Sequence, residues 1–214
     1  MKFAIAATLA VTSYAAELLV SDDDKYKHQL TYWVGDNTLY LEPDLLKKDG
    51  QWEDMEKAKV GQGWAIMPAG TVADLAGGAQ NLTLDWFEFI IPVYFPGKTG
   101  DSSVSFICRK DGGPMELMDK CPWSAGDWEA TPSYSSLKIS LSRKLDAYKA
   151  LKVGEAVTAY GSFEVDPDES VQDPAAITKS EPKALELILV EGSTAATLAI
   201  GTSLLTALIT MQAF

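Results

Sequence analysis

The chain has 214 residues, a formal net charge of −12, one histidine and two cysteines. A surface this negative is a poor match for nucleic acid or other polyanions, and a single histidine leaves little material for a zinc or other transition-metal centre. The length suits one domain with a core large enough to stand without metals or many cross-links.

Residues 1–16 read as a secretory signal. Met1 and Lys2 give a short positive start, Phe3 to Val11 is apolar apart from Thr8, and Ser13 and Ala15 supply small residues for cleavage after Ala15 or Ala16. Residues 17–192 are then expected to form a β-rich extracellular domain. Asp22, Asp23 and Asp24 open it as an exposed acidic leader that includes His28, expected at the surface.

The first strands alternate Leu30, Tyr32 and Val34 with polar partners, turn at Gly35, Asp36 and Asn37, and return through Leu39 and Leu41. That is a hairpin pattern, which Glu42, Pro43 and Asp44 are expected to end. Leu45 to Lys59 loosens to helical spacing around Trp52 and Met55. Gly61 and Gly63 lack the third glycine of a dinucleotide fingerprint and read as turn residues.

Asn81, Leu82 and Thr83 form an N-glycosylation sequon at the head of the densest apolar run, Leu82 to Phe95, which reads as a strand buried on both faces. Val104 to Cys108 is its expected partner. Cys108 and Cys121, separated by a turn-forming Gly112, Gly113 and Pro114, are expected to form a structural disulfide. The loop after it carries Trp123 and Trp128 beside Gly126 and Asp127. These two indoles either plug the core or form a platform for a glycan or protein ligand.

Leu137, Ile139 and Leu141 alternate cleanly, a short helix is expected near Arg143 to Leu151, and two further strands follow around Val157 to Val165 and Leu185 to Leu189. Glu164, Asp166, Asp168, Glu169 and Asp173 crowd the loop between them. Without the spacing of a calcium loop, they read as a solvated acidic segment. The expected fold is all-β with short helices: one antiparallel sandwich or small barrel between an N-terminal signal helix and a hydrophobic tail.

That tail, residues 193–214, has no charge and is diluted by hydroxyl side chains. Small residues at Gly192 and Ser193 precede it. The pattern is that of a glycosylphosphatidylinositol (GPI) attachment signal, with a retained membrane helix as the alternative. The chain carries no serine elbow, triad or cofactor motif, so no catalytic, cofactor or metal residue is assigned. The functional expectation is a noncatalytic binding or adhesion protein on the outer face of the plasma membrane. A hydrolase using paired carboxylates on glycans or peptides and a structural coat protein are the alternatives.

Overall fold

A computed structural model describes residues 15–73, 75, 82–129, 135–171 and 173–191. The signal segment before Ala15, Asn81 of the sequon, the attachment residues Gly192 and Ser193 and the hydrophobic tail lie outside the described residues.

The described chain is built from twelve strands: β1 (Ala16–Asp22), β2 (Tyr26–Gly35), β3 (Thr38–Lys47), β4 (Lys59–Pro68), β5 (Phe87–Tyr94), β6 (Ser103–Arg109), β7 (Glu116–Leu117), β8 (Trp123–Glu129), β9 (Ser136–Lys144), β10 (Ala156–Asp166), β11 (Thr178–Lys179) and β12 (Lys183–Ile188). They form two antiparallel sheets. The first has the order β1-β2-β3-β9-β8. The second has the order β11-β10-β4-β5-β6-β7, with β12 also paired to β10. The sheets do not close into a barrel. They face each other in a sandwich-like arrangement, and Leu30, Leu39 and Leu41 of the first share one core with Trp64, Ile66, Ile90 and Ala159 of the second.

Local chemistry accounts for most of the pairing. Asp36 and Asn37 take φ of 50° and 57°, the left-handed pair required by a two-residue hairpin turn, and β2 runs against β3 in unbroken register from Gly35–Thr38 to Tyr26–Lys47. β3 does not end at Glu42–Asp44 as its composition suggests. It continues through Pro43, and its ladder to β9 is interrupted at residues 42 and 43, where a proline has no N–H to give.

Several sequence expectations are corrected. The supposed acidic leader is a hairpin: β1 pairs with β2 from Ala16–Tyr32 to Asp22–Lys27, and the Asp23 carboxylate accepts the N–H groups of Lys25 and Tyr26, closing the turn. Gly61 and Gly63 are not turn residues but lie inside β4. No helix follows Arg143; residues 145–149 are turns and bends. Among the described residues helical structure is limited to 3-10 turns at Trp52–Met55, Thr99–Asp101 and Met118–Lys120, and no helix is long and apolar enough to cross a membrane.

His28 shows the largest departure. It is fully buried between the sheets, not on the surface. Its position in β2 alternates with Leu30 and Tyr32, so the period-two pattern that turns those residues inward turns His28 inward too. Its Nε2 lies 3.1 Å from Oε1 of Gln62 on the facing sheet, and the Gln62 amide nitrogen lies 3.4 Å from the Leu137 carbonyl. Trp64 and Phe163 present ring edges to the imidazole. Burial pushes its pKa down to about 4, so it is neutral at physiological pH.

Candidate functional site

One side of the sandwich brings β8, the edge of the first sheet, beside β6 of the second, whose short outer neighbour β7 covers only Ile107 and Cys108, with β5 next inward. The Cys108–Cys121 disulfide ties these edges together at one end, with a Cα separation of 5.7 Å. Below it the edges part. The opening is a cleft of about 600 Å³.

The geometry of β8 decides what lines this cleft. Its register to β9 runs Trp123–Arg143, Ser124–Ser142 and Ala125–Leu141, then resumes at Trp128–Ile139. Three residue steps on β8 therefore oppose two on β9, which is a β-bulge. In an unbroken strand Trp123 and Trp128, five apart, point to opposite faces. The bulge reverses the alternation, so both indoles turn toward the interior.

The two tryptophans have different surroundings. Trp123 is a core side chain, 5% exposed, and its indole N–H donates to Oε2 of Glu88 at 2.7 Å. It is not displayed, so the pair does not make a two-ring platform. Trp128 is only partly buried. It lines the cleft with Tyr94, Val104 and Phe106, and its ring lies 5.2 Å from that of Tyr94 at 46°. The polar lining is Asp127, exposed on the bulge, with the hydroxyls of Thr99, Ser102 and Ser103. Ser102 Oγ already accepts the Phe95 N–H at 3.1 Å. The cleft thus combines an aromatic wall with one carboxylate and several small donors and acceptors.

Behind it lies a charge pair that sequence reasoning missed. Glu88 of β5 and Arg143 of β9 are both fully buried, and Oε1 lies 3.0 Å from Nη1. Arg143 Nη2 also donates to the carbonyls of Ala147 and Lys149, at 2.6 and 2.8 Å. These bonds explain why the 145–149 segment turns where a helix was expected: its carbonyls point at a guanidinium. Burial raises the Glu88 pKa to about 7 against the opposing pull of Arg143 and of Trp123's hydrogen bond. A perturbed carboxyl is a frequent mark of catalysis, but Glu88 has no exposed surface, and its oxygens already face Arg143 and Trp123. The signal in the sequence was the alternation itself. It places Glu88 with Ile90 and Arg143 with Leu141 on inward faces.

A second concavity lies on the outer face of the second sheet. Two adjoining hollows of about 450 and 230 Å³ share Gly63, Ile91, Ser162, Leu75 and Pro182. The acidic loop contributes no ligand set. Asp168 is engaged by Ser170 and Lys57, and among the described residues no group of three or more His, Cys, Asp or Glu side chains could hold a metal ion.

No protein-family model matches the chain, and no curated protein matches it in sequence.

Proposed function

We propose that this chain is a noncatalytic binding protein of the outer cell surface, held there by a GPI-type lipid added at Gly192 or Ser193 in exchange for the tail that follows, or by residues 193–214 kept as a helix, with its ligand in the β6–β8 cleft. The observation that carries the reading is the bulge in β8, which turns Trp128 toward Tyr94 in an opening left between two otherwise packed sheets. Bulges beside ligand sites re-aim side chains in this way. The lining favours a ligand with flat apolar faces and many hydroxyls, such as a glycan, because an aromatic ring covers C–H surface while Asp127 and the nearby hydroxyls satisfy polar edges. Asp127 is the single carboxylate of that lining, which favours binding over the two-carboxylate chemistry of glycoside hydrolysis.

On a glycan array Trp128→Ala is expected to lower binding about thirtyfold, the ~2 kcal/mol typical of a central aromatic contact. It should lower the melting temperature as well, because Trp128 also packs against the core. Binding is therefore compared on protein shown by circular dichroism to be folded at the assay temperature. Binding that survives Trp128→Ala undiminished would place the ligand elsewhere.

A further inference from the structure

The loops of this domain are sorted between its two ends. One end gathers the Asp36–Asn37 turn, the disulfide loop after Arg109, the 145–155 segment and the last described residues, 189–191. Hydrogen bonds and ion pairs join these pieces into one surface. The Leu145 N–H bonds the Asn37 carbonyl, the Gly154 N–H bonds the Leu189 carbonyl, and the Leu189 N–H bonds the Glu155 carbonyl. Lys149 lies 3.5 Å from Asp111, and Lys110 sits over the Tyr148 ring. Glu191 forms a bridge to Val34 beside the turn.

This end is unusual in two respects. Of the seven large hydrophobic side chains exposed among the described residues, four are here: Met115 (41%), Leu117 (60%), Met118 (48%) and Val153 (46%). Single exposed apolar residues are ordinary, but a cluster on one surface marks an interaction site. Met118 also holds a left-handed φ of 52°, a conformation a non-glycine residue keeps only at a cost. The charge is sorted as well. With Arg143 buried against Glu88, this end carries Lys110, Lys120, Lys144, Lys149 and Lys152 against Asp36, Asp111, Glu116, Asp119, Asp146, Glu155 and Glu191, whereas residues 166–173, at the opposite end, carry four acids and no base. The apolar tips therefore sit on the less negative pole of a strongly acidic molecule.

We propose that this end rests on the bilayer, with Met115, Leu117, Met118 and Val153 seated among the lipid headgroups. The inference rests on the tethered reading given above and specifies its geometry. If the lipid joins at Gly192 or Ser193, at most two residues follow Glu191, and two extended residues span no more than about 7 Å. Glu191 is itself fixed to β2, so the face around it is the part of the domain nearest the attachment point. Apolar tips with lysines nearby suit the headgroup boundary, where buried hydrocarbon and snorkelling amines both gain. The acidic pole is left facing outward.

Native methionines supply the probe. The mature protein, isolated from membranes of a eukaryotic host and reconstituted in phosphatidylcholine vesicles, is oxidised briefly with hydrogen peroxide. Sulfoxide is then read peptide by peptide by mass spectrometry. Met55, partly buried near the opposite end, is the internal reference. Met115 and Met118 are expected to oxidise severalfold more slowly than Met55, the reverse of the order their exposure dictates. Faster oxidation of Met115 and Met118 than of Met55 overturns the proposal. Protection that grows with protein density on the vesicles also overturns it, because a second copy of the chain would then be the cover. Co-flotation keeps the two readings apart: a protein that does not float with vesicles defeats the tether, whereas one that floats with Met115 and Met118 freely oxidised defeats only the seated end.

Discussion

Single residues connect the sheets, and two of them respond to pH in opposite senses. His28 is buried neutral with a pKa near 4. The unfolded chain, with an ordinary value near 6.5, therefore takes up its proton first, and stability falls as pH drops from about 6.5 to 4, by about 3 kcal/mol at full effect. Glu88 has its pKa raised to about 7, so its contribution is complete below the ordinary carboxyl range and declines as pH rises toward 7. The two slopes offset each other between about 4.5 and 6.5. In His28→Gln the Glu88 slope is no longer offset by the histidine, and denaturant unfolding measured across that range should show stability rising as pH falls. A profile that still falls toward acid would remove His28 from this role. Gly161 makes a steric demand of another kind. A Cβ there would stand 2.7 Å from the Trp64 ring and 3.0 Å from Val20, so Gly161→Ala should lower stability by about 1–3 kcal/mol, the usual cost of overpacking, in a urea titration.

At the scale of elements, β8 is the strand on which the functional reading depends. Its extra residue between Ala125 and Trp128 puts Trp128 in the cleft. Deleting Gly126 should remove the bulge yet leave Trp128 opposite Ile139, four positions from Trp123 and still turned inward, so ligand binding should persist while the Cys108–Cys121 bridge and the β9 pairing hold the strand in place. Loss of binding in that deletion would show that the bulge residues themselves, and not the register of Trp128, shape the site. The bridge itself closes a separation of 13 residues. The Cys108→Ala/Cys121→Ala double variant should lose about 3 kcal/mol on the chain-entropy estimate, read as a shift of the urea midpoint. Much of this level was legible beforehand. The β2–β3 turn, the β5–β6 pairing, the disulfide and the alternation of β9 and β10 follow from local composition. The β8 bulge was not legible, because a bulge is defined by the partner strand and leaves no mark in the strand's own residues. β1 was missed because Ala16 stood in the expected signal and the alternation left was too short to register beside three aspartates.

For the whole molecule, the two sheets share one large core and are joined by buried polar links, His28–Gln62 and Glu88–Arg143 with Trp123. Such links contribute less to net stability than their gross strength suggests, since two ions must be stripped of water to form a buried pair. They specify how one sheet lies on the other. Breaking one partner is costly in either case: Glu88→Leu strands the Arg143 guanidinium and should destabilise the domain by about 3–5 kcal/mol, visible as a large fall in melting temperature. A near-neutral result would mean that Arg143 is satisfied by the Ala147 and Lys149 carbonyls alone.

Period-two hydrophobicity, turn-forming dipeptides and cysteine spacing are local properties. The sequence by itself therefore determined the β class, most strand positions and the disulfide. It also set the expectations of signal and tail that the proposed tether uses. Only the tertiary structure decided which sheet each strand joined, that the sheets stay open as two layers, that His28 is a core residue, and that Trp123 and Trp128 have separate fates. The physical reason is the same throughout. A residue's own pattern states whether it faces inward, but what it meets there comes from a strand distant in the chain, and that partner is chosen by the packing of the whole.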